Sequence, residues 1–286
     1  MAFDLSKLND WSDEQHFKVE EDRARAYALA TNDDNPRHSS GELAPPVFAV
    51  IPIWDAMLGC VTQITPPDVL MQVVHGEQDM FIHKPIVPGM VLRARAAAVG
   101  VHVKGSGTTL ILKTETRDEA DELVNEQYVV NFFRGVTDGE GGGDAAPDHT
   151  LPEDIAAGEP AHSITYKIDD DQTFRYAEAS GDQMPIHLDD NFAKSVGLPG
   201  IIVHGLCTMA FTGRAVVEAV CEGDPTRLRR LAVRFSSPVM PGEEITTRIW
   251  DVGTQDDRGA YGFETVNPSG DKVIKNGLAE VAPATS

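Results

Sequence analysis

The amino-acid sequence predicts an α+β protein built from two copies of one unit. The first copy contains the pattern Tyr27-Ala28-x-Ala30-x-x-Asp33-x-x-Pro36-x-His38, and the second repeats it as Tyr176-Ala177-x-Ala179-x-x-Asp182-x-x-Pro185-x-His187. A second landmark, Pro-x-x-Pro-Gly, occurs at 85–89 and again at 238–242. In each copy a helical segment precedes strands with two-residue alternation, and this order predicts the α+β class.

Hydrophobic patterning predicts the elements of each copy. In the second copy an apolar-periodic stretch predicts a long helix over 206–220. Two-residue alternation then predicts strands at 231–235, 244–251, 260–267 and 272–281, with a turn at 267–270. Alternation in the first copy predicts strands at 90–103, 108–117 and 123–134. The helix region of that copy, 47–54, contains Pro52, which removes a main-chain donor and is expected to bend or delay the helix.

A Gly- and Asp-rich segment separates the two copies. Residues 137–147 offer little apolar surface to bury, which is typical of an exposed linker. The sequence therefore predicts an N-terminal unit at 1–136, a linker at 137–160 and a C-terminal unit at 161–286.

The acidic composition excludes several classes of partner. A formal net charge of −21 leaves no broad basic face for nucleic acid or for an anionic membrane surface. No apolar run approaches the roughly 18 residues of a membrane span, and the first ten residues lack a signal-peptide pattern. Cys60, Cys207 and Cys221 have no metal-ligand spacing and suit a reducing compartment. Because the ending is not Ser-Lys-Leu either, we expect a cytoplasmic protein.

The second copy carries a pattern that suits proton transfer. Asp182 and His187 flank Pro185, whose fixed φ favours a stiff turn able to aim both side chains at one water molecule. Gly205 follows at the predicted start of the long helix, where a main-chain N–H stabilises a developing negative oxygen. We therefore take Asp182, His187 and Gly205 as candidate catalytic residues. On its own, an Asp and a His at this spacing are more often a turn cap and an ordinary histidine.

Longer stretches of the chain match a known family. Segment 181–205 resembles the (R)-specific enoyl-CoA hydratases of the MaoC-like dehydratase family, whose signature is close to Asp-x-Asn-Pro-[Leu/Ile]-His followed by His-Gly. Met184 stands where that family usually has Asn. The resemblance continues at 192–198, 205–211, 234–242 and Asn276-Gly277, and the run His75-Gly76-Glu77-Gln78 with Lys84-Pro85 resembles the N-terminal half of two-part members.

This resemblance implies a fold and a reaction. The fold would be a double hotdog, with a long helix wrapped by an antiparallel sheet in each of two tandem units. The reaction would be reversible hydration of a trans-2-enoyl-CoA to a (3R)-3-hydroxyacyl-CoA. Asp182 and His187 would hold the water, one removing its proton and the other delivering a proton to C2, while the Gly205 N–H polarises the thioester carbonyl. Which of the pair is the base stays open, because coupled groups titrate together.

The same resemblance implies the partners and excludes a cofactor. The partner is an acyl-CoA thioester, and the protein is expected to be a homodimer. No cofactor is needed, because the thioester supplies the acidity. The sequence also shows no His, Cys and carboxylate set with metal-site spacing.

Further residues are candidates for substrate binding. His204 is expected to orient its loop or to bond a main-chain carbonyl, and Arg234 and Lys275 are candidates for the CoA phosphates. The basic cluster that suggests phosphate contact comprises Arg227, Arg229, Arg230, Arg234, Lys272 and Lys275. Gly277, His75 and Gly76 complete the candidate set. Ordinary charge balance remains the alternative for the cluster, and a solvated loop remains the alternative for 75–78.

The first copy has diverged at the helix start. It retains Asp33 and His38 but has Val50 and Ile51 where the second copy has His204 and Gly205. Because Ile51 would crowd the main-chain amide, we predict that this copy is degenerate and houses the acyl group, and the alternative is that Asp33 and His38 are relics held as turn residues. We further predict an apolar tunnel toward residues 47–60 and a preference for medium or long acyl chains.

Two other functions stay open. Other hotdog proteins hydrolyse thioesters with carboxylates, which makes an acyl-CoA thioesterase one alternative. A non-catalytic acyl-CoA binding subunit is the other, because an Asn at position 184 could hold the turn through side-chain hydrogen bonds that Met cannot make.

Overall fold

The computed structural model describes residues 3–284 and divides into two compact units. Unit 1 contains the described residues of Met1–Lys18, Pro52–Lys84 and Met90–Asp148. Unit 2 contains those of Val19–Ile51, Pro85–Gly89 and His149–Ser286. These units group the chain differently from the two sequence copies, because 19–51 and 85–89 of the first copy belong to unit 2.

In each copy a group of helices is followed by a run of strands, which is the order expected for two copies. The strands are β1 (Gln15–Lys18), β2 (Val73–Ile82), β3 (Val91–Lys104), β4 (Gly107–Arg117), β5 (Leu123–Arg134), β6 (Gly142–Gly143), β7 (His162–Lys167), β8 (Leu228–Phe235), β9 (Glu244–Gln255), β10 (Arg258–Val266) and β11 (Lys272–Val281). The helices are α1 (Glu21–Ala30), α2 (Pro36–Ser39), α3 (Trp54–Ile64), α4 (Glu153–Ala156), α5 (Gln172–Ser180), α6 (Asp190–Ser195) and α7 (Gly205–Val220). The predicted α+β class is confirmed.

Unit 1 is an antiparallel sheet with one helix on it. Its strands lie in the order β1-β3-β4-β5-β2, and β6 pairs with β3. Helix α3 packs on β3 and β4. The core contains Ile53, Ile64, Leu110, Leu112 and Phe133.

Unit 2 surrounds the longest helix of the described residues. Its strands lie in the order β8-β11-β10-β9-β7, all antiparallel. Helix α7 contacts β7, β8, β9 and β11, and its side chains are buried on nearly every side. Phe211 near its centre is 1% exposed, and full burial of such a side chain contributes roughly 1.5–3 kcal/mol. This burial fixes the N-terminal end of α7, where the candidate site lies.

Helices α1 and α5 pack together within unit 2. Their equivalent tyrosines, Tyr27 and Tyr176, are both buried, and the two hydroxyl oxygens lie 3.2 Å apart. The rings meet edge to face, with centroids 5.5 Å apart. Burial raises the pKa of both phenols, so the two hydroxyl groups stay protonated. Each copy thus meets the other through the same residue.

The predicted strands agree with the structure to within a few residues. The clearest difference lies in the first copy, where a 3₁₀ helix at Pro46–Val50 comes before α3, which begins only at Trp54. Pro52 therefore delays the helix, as predicted. The predicted linker contains β6 and the short helix α4, so part of it is ordered against unit 1 and part starts unit 2. Across residues 3–284, no helix combines the length and hydropathy that a membrane span requires.

Candidate active site

The turn after α5 presents Asp182. Helix α5 ends at Gly181, whose φ of 88° is a left-handed conformation that favours glycine. Asp182 then closes an Asx turn, because its Oδ1 accepts a hydrogen bond from the Met184 N–H at 3.1 Å. Pro185 opens a 3₁₀ turn that ends at His187. The stiff turn predicted around Pro185 is present.

His187 is buried and held in one tautomer. His187 is only 7% exposed, and its Nδ1 lies 2.7 Å from the carbonyl oxygen of Ile202. Because a carbonyl only accepts, Nδ1 donates and Nε2 is left for a water molecule. Burial lowers the pKa of His187 below its ordinary value of 6.5, although the Ile202 carbonyl and the Asp182 charge oppose that shift. The imidazole is therefore neutral at pH 7.

His204 links the two candidate proton-transfer residues. It lies immediately before α7, its ring stacks on that of His187 with centroids 3.7 Å apart, and its Nε2 lies 3.1 Å from the carbonyl oxygen of Asp182. Burial, followed by the neighbouring His187, lowers the pKa of His204 to about 3. A neutral ring must therefore carry its proton on Nε2, which donates to Asp182. This matches the predicted orienting role.

Asp182, His187 and His204 form one cluster. One ligand atom from each residue lies within 4.8 Å of the others. A separation of up to 4.8 Å between a carboxylate oxygen and a ring nitrogen is one that a single water molecule can bridge. A carboxylate with two imidazoles is also a donor set that zinc uses, which the sequence spacing did not reveal. However, both nitrogens of His204 already face hydrogen-bond partners, so a metal could reach only two of the three residues without breaking those bonds.

Gly205 is the first residue of α7. A main-chain N–H at this position has no carbonyl one turn before it and points toward the helix N-terminus, where negative charge is stabilised. A Cβ at this position would lie 3.3 Å from the ring of Phe235, which is tighter than ordinary contact. Phe235 therefore favours glycine at this position.

The first copy arranges its own pair differently. His38 Nδ1 lies 2.7 Å from Asp33 Oδ2, so the two side chains bond each other directly. The amide of Ile51 donates to Phe48 O at 3.0 Å within the 3₁₀ segment. The expected loss of the oxyanion donor is therefore seen, but for another reason: a hydrogen bond already occupies the amide.

A cavity of about 450 Å³ lies beside the first-copy pair. Asp33, His38, Val47, Tyr166 and Arg214 are among the residues that line it, whereas Asp182 and His187 are not. Val47, which was expected to lie on a tunnel from the second-copy pair, therefore contributes to this separate cavity. The tunnel itself stays a prediction.

The position of Met184 has a direct counterpart in the first copy. Asn35 occupies it, and the Asn35 N–H bonds Asp33 Oδ1 at 3.0 Å, as the Met184 N–H bonds Asp182. The main chain thus closes both turns whatever side chain stands there. The Asn35 side chain adds two bonds that Met184 cannot make: its Oδ1 accepts the Arg37 N–H, and its Nδ2 donates to the carbonyl oxygen of Gly223.

The candidate phosphate-binding residues divide into two groups. Arg234 and Lys275 lie directly opposite each other on β8 and β11, both half-buried. In contrast, Arg230 is 4% exposed and bonds Glu280 at 3.2 Å. The charge of Arg230 is therefore balanced inside the unit, and phosphate contact by at least one other residue of the basic cluster stays a prediction. Lys272 is likewise paired, with Glu264 at 2.5 Å.

Packing explains the remaining candidates. A Cβ on Gly277 would lie 2.2 Å from the Phe263 ring, so glycine is required there for strand packing. In unit 1, His75 and Gly76 lie on β2 rather than in a loop, and Gly76 is the extra residue of a β-bulge opposite β5. Burial lowers the pKa of His75 to about 4. The loop alternative for 75–78 is therefore wrong, and the roles of these three in binding stay predictions.

Comparisons with known proteins match both copies. Residues 153–270 match the family model described as MaoC like domain, and residues 38–135 match the one described as MFE-2 hydratase 2 N-terminal domain. A probable enoyl-CoA hydratase 2 of Dictyostelium discoideum is 32% identical over 218 residues, covering 74% of this chain and 71% of that protein. Other relatives are longer: the chain spans 36% of the peroxisomal multifunctional enzyme type 2 of Drosophila melanogaster, at 29% identity and 73% of this chain.

Solved structures share the fold over nearly the whole chain. A MaoC-like dehydratase from Phytophthora capsici superposes with a TM-score of 0.85 and 26% identity, covering 99% of this chain and 100% of that one. A Mycobacterium tuberculosis protein described as a double hotdog fold superposes with a TM-score of 0.59 and 13% identity, covering 96% and 95%. The expected double hotdog fold is thereby confirmed.

Proposed function

Because this chain belongs to the MaoC-like dehydratase family, we propose that it is a hydro-lyase that reversibly hydrates a trans-2-enoyl-CoA to a (3R)-3-hydroxyacyl-CoA. The observation that carries the proposal is the cluster of Asp182, His187 and His204 within 4.8 Å. It lies just before the start of α7, where the Gly205 N–H is free of any intrahelical acceptor. A pair that holds water and a donor for a thioester oxygen are the two parts that the reaction needs.

The hydrogen bonds support a separate role for each member of the pair. His187 is neutral and commits its Nδ1 proton to Ile202, so Nε2 is the group that takes a proton from the water as oxygen attacks C3. Asp182 then delivers to C2 the proton that the pair carries. Dehydration reverses both transfers, so the pair carries one shared proton in either direction. The Gly205 N–H stabilises the enolate oxygen between the two transfers.

A direct assay tests the proposal. Purified protein is mixed with crotonyl-CoA and with a longer enoyl-CoA, and loss of the enoyl absorbance is followed while free thiol is measured in parallel. Hydration removes the absorbance without releasing thiol and gives the (3R) product on chiral analysis. Release of free thiol would instead indicate thioester hydrolysis, and absence of turnover at every chain length would indicate a binding protein.

The lowered pKa of His187 predicts the acid side of the pH profile. His187 must be neutral to accept the proton of water, and burial places its pKa below 6.5. We therefore expect kcat/KM for hydration to show no acid-side loss between pH 7.5 and 6.5, and to fall only at lower pH, where the imidazole becomes cationic. Rates measured across that range in buffers of constant ionic strength check the prediction. A loss of kcat/KM that begins above pH 7 as the pH is lowered would contradict it.

The helix region of the first copy predicts which acyl chain lengths the protein prefers. Residues 46–50 form a 3₁₀ turn with the small Ala49, and α3 begins only at Trp54, so the first copy lacks a full-length helix. The space saved is proposed to house an acyl chain. We expect kcat/KM to be at least about tenfold higher for enoyl-CoAs of about eight carbons or more than for crotonyl-CoA. Four more buried methylenes at about 0.8 kcal/mol each contribute about 3 kcal/mol, and a tenfold preference needs about 1.4 kcal/mol. A value that falls steadily beyond four carbons would contradict this expectation.

Assembly and location complete the proposal. We propose a homodimer, as in the resemblance noted above, with light scattering on the purified protein as its test. We also propose a cytoplasmic location, which is supported by three free and buried cysteines. Because a relative is a peroxisomal enzyme, fractionation of the source cell is the experiment that separates the two locations.

A further inference from the structure

The two copies differ at the residues that surround the acid–base pair rather than in the pair itself. Asp182 and His187 correspond to Asp33 and His38 at an offset of 149. At the same offset, Thr173 corresponds to Ala24. The comparison of helix starts likewise gives Val50 in place of His204. The chain therefore contains one pair with a Thr and a second His beside it, and one pair without either.

Thr173 contacts both halves of the candidate site. Its side chain lies on α5 and is fully buried. Oγ1 lies 2.9 Å from the carbonyl oxygen of His187 and 3.2 Å from Nδ1 of His204. Because the neutral His204 has its proton on Nε2, Nδ1 accepts, and the hydroxyl proton of Thr173 is shared between these two acceptors.

The bonds form a connected chain. Thr173 fixes the main chain of His187, and it fixes the ring of His204. That ring in turn donates to the main chain of Asp182 and stacks on the His187 ring. The main chains of both catalytic candidates are thus held. Because Asp182 Oδ1 bonds the Met184 N–H and His187 Nδ1 bonds Ile202, the groups left for a water molecule are Asp182 Oδ2 and His187 Nε2.

The first copy shows what happens where these contacts are missing. Asp33 and His38 are bonded directly at 2.7 Å, and Nδ1 of the histidine is consumed in that bond. In the second copy the same ring nitrogen bonds the Ile202 carbonyl instead. A direct carboxylate–imidazole bond leaves no place for water between the two groups.

We propose that Thr173 is a positioning residue that, through His204, holds Asp182 and His187 apart at the distance a reactive water needs. The proposal rests on the hydratase function proposed above. Thr173 touches no reacting atom, and its hydroxyl acts only through the two histidines. Without it, the Asp182 and His187 side chains close onto each other as they do in the first copy.

The substitution Thr173→Val tests the proposal, because valine keeps the shape and removes the hydroxyl. We expect kcat to fall by about tenfold to a hundredfold with KM changed by less than about twofold, because only the geometry of the pair is altered. Thr173→Ser restores the hydroxyl and should recover most of the rate. Thr31→Val is the matched control, since Thr31 is also buried and donates to main-chain carbonyls, those of Tyr27 and Ala28, away from the pair. Its kcat should match that of the unaltered protein.

A second measurement separates positioning from a general loss of structure. The titratable groups around His187 are Asp182 and His204. If Asp182 closes onto His187 in Thr173→Val, the pKa of His187 rises by about one unit or more, because an opposite charge makes direct contact. Nitrogen NMR of the imidazoles, assigned by comparison with His187→Gln, reports this value without turnover.

The outcomes are distinct. A lowered kcat together with a raised His187 pKa, both reversed in Thr173→Ser, supports the proposal. An unchanged His187 pKa, or a loss that Thr173→Ser shares, overturns it. If the unaltered protein does not hydrate enoyl-CoAs, the proposed function fails, while the NMR comparison still decides whether Thr173 holds the pair apart.

Discussion

Asp182→Asn is expected to lower kcat by at least about a hundredfold, because the amide keeps the size of the carboxyl group but cannot exchange a proton with C2. The turn should survive, since the asparagine Oδ1 can still accept the Met184 N–H. Steady-state rates with a medium-chain enoyl-CoA, together with circular dichroism to confirm folding, check this result.

Asp33→Asn provides the matched control at the equivalent position of the first copy. There the carboxylate bonds His38 directly, and an amide oxygen can accept the same Nδ1–H. We expect turnover within about twofold of the unaltered protein. A large loss at Asp33 with little effect at Asp182 would place the active pair in the first copy, beside the cavity that Arg214 and Tyr166 help to line.

His187→Gln is expected to give a loss of similar size, at least about a hundredfold in kcat. Glutamine can still donate to the Ile202 carbonyl, so the side chain keeps its anchor, but it offers no basic nitrogen to the water. The acid limb of the pH profile should disappear with the imidazole. Rates measured between pH 5 and 8 on the folded variant check both effects.

His38→Gln is the counterpart in the first copy. His38 is 1% exposed, so this substitution is expected to lower the free energy of unfolding by about 1–3 kcal/mol while kcat per folded molecule stays unchanged. Urea unfolding measures the first quantity, and the enoyl-CoA assay measures the second.

Full activity in His187→Gln would show that the imidazole has no part in the reaction.

Strand prediction succeeded where the sequence alternates and failed where it does not. β3, β4 and β5 were predicted within a residue or two of their observed ends, because each is a long strand of which part alternates between buried and less buried side chains. β2 was missed, since the bulge at Gly76 interrupts its period and polar residues follow. β1 and β7 are short strands with mostly exposed side chains, so burial left no pattern in their sequences.

The candidate site was only partly visible in the sequence. Asp182, His187 and Gly205 follow from spacing, because one turn and one helix start bring them together. The pairing of Arg230 was not visible in the sequence, since its partner Glu280 is distant in the chain and meets it only across β8 and β11. Thr173 was missed for a similar reason, although a position-by-position comparison of the two copies would have set it against Ala24.

The contact between Tyr27 and Tyr176 couples the substitutions that the two copies can accept. At most positions of a duplicated chain the two copies diverge independently, because a substitution in one copy does not alter the surroundings of the equivalent residue in the other. At this contact each residue is the neighbour of its own duplicate, with the hydroxyls 3.2 Å apart in a fully dry setting. A change to phenylalanine in either copy leaves the buried hydroxyl of the other tyrosine without this hydrogen-bond partner. Tyr176 also lies against the His204 ring, with centroids 4.9 Å apart. Divergence of the first copy is thus restrained at one place by the second copy.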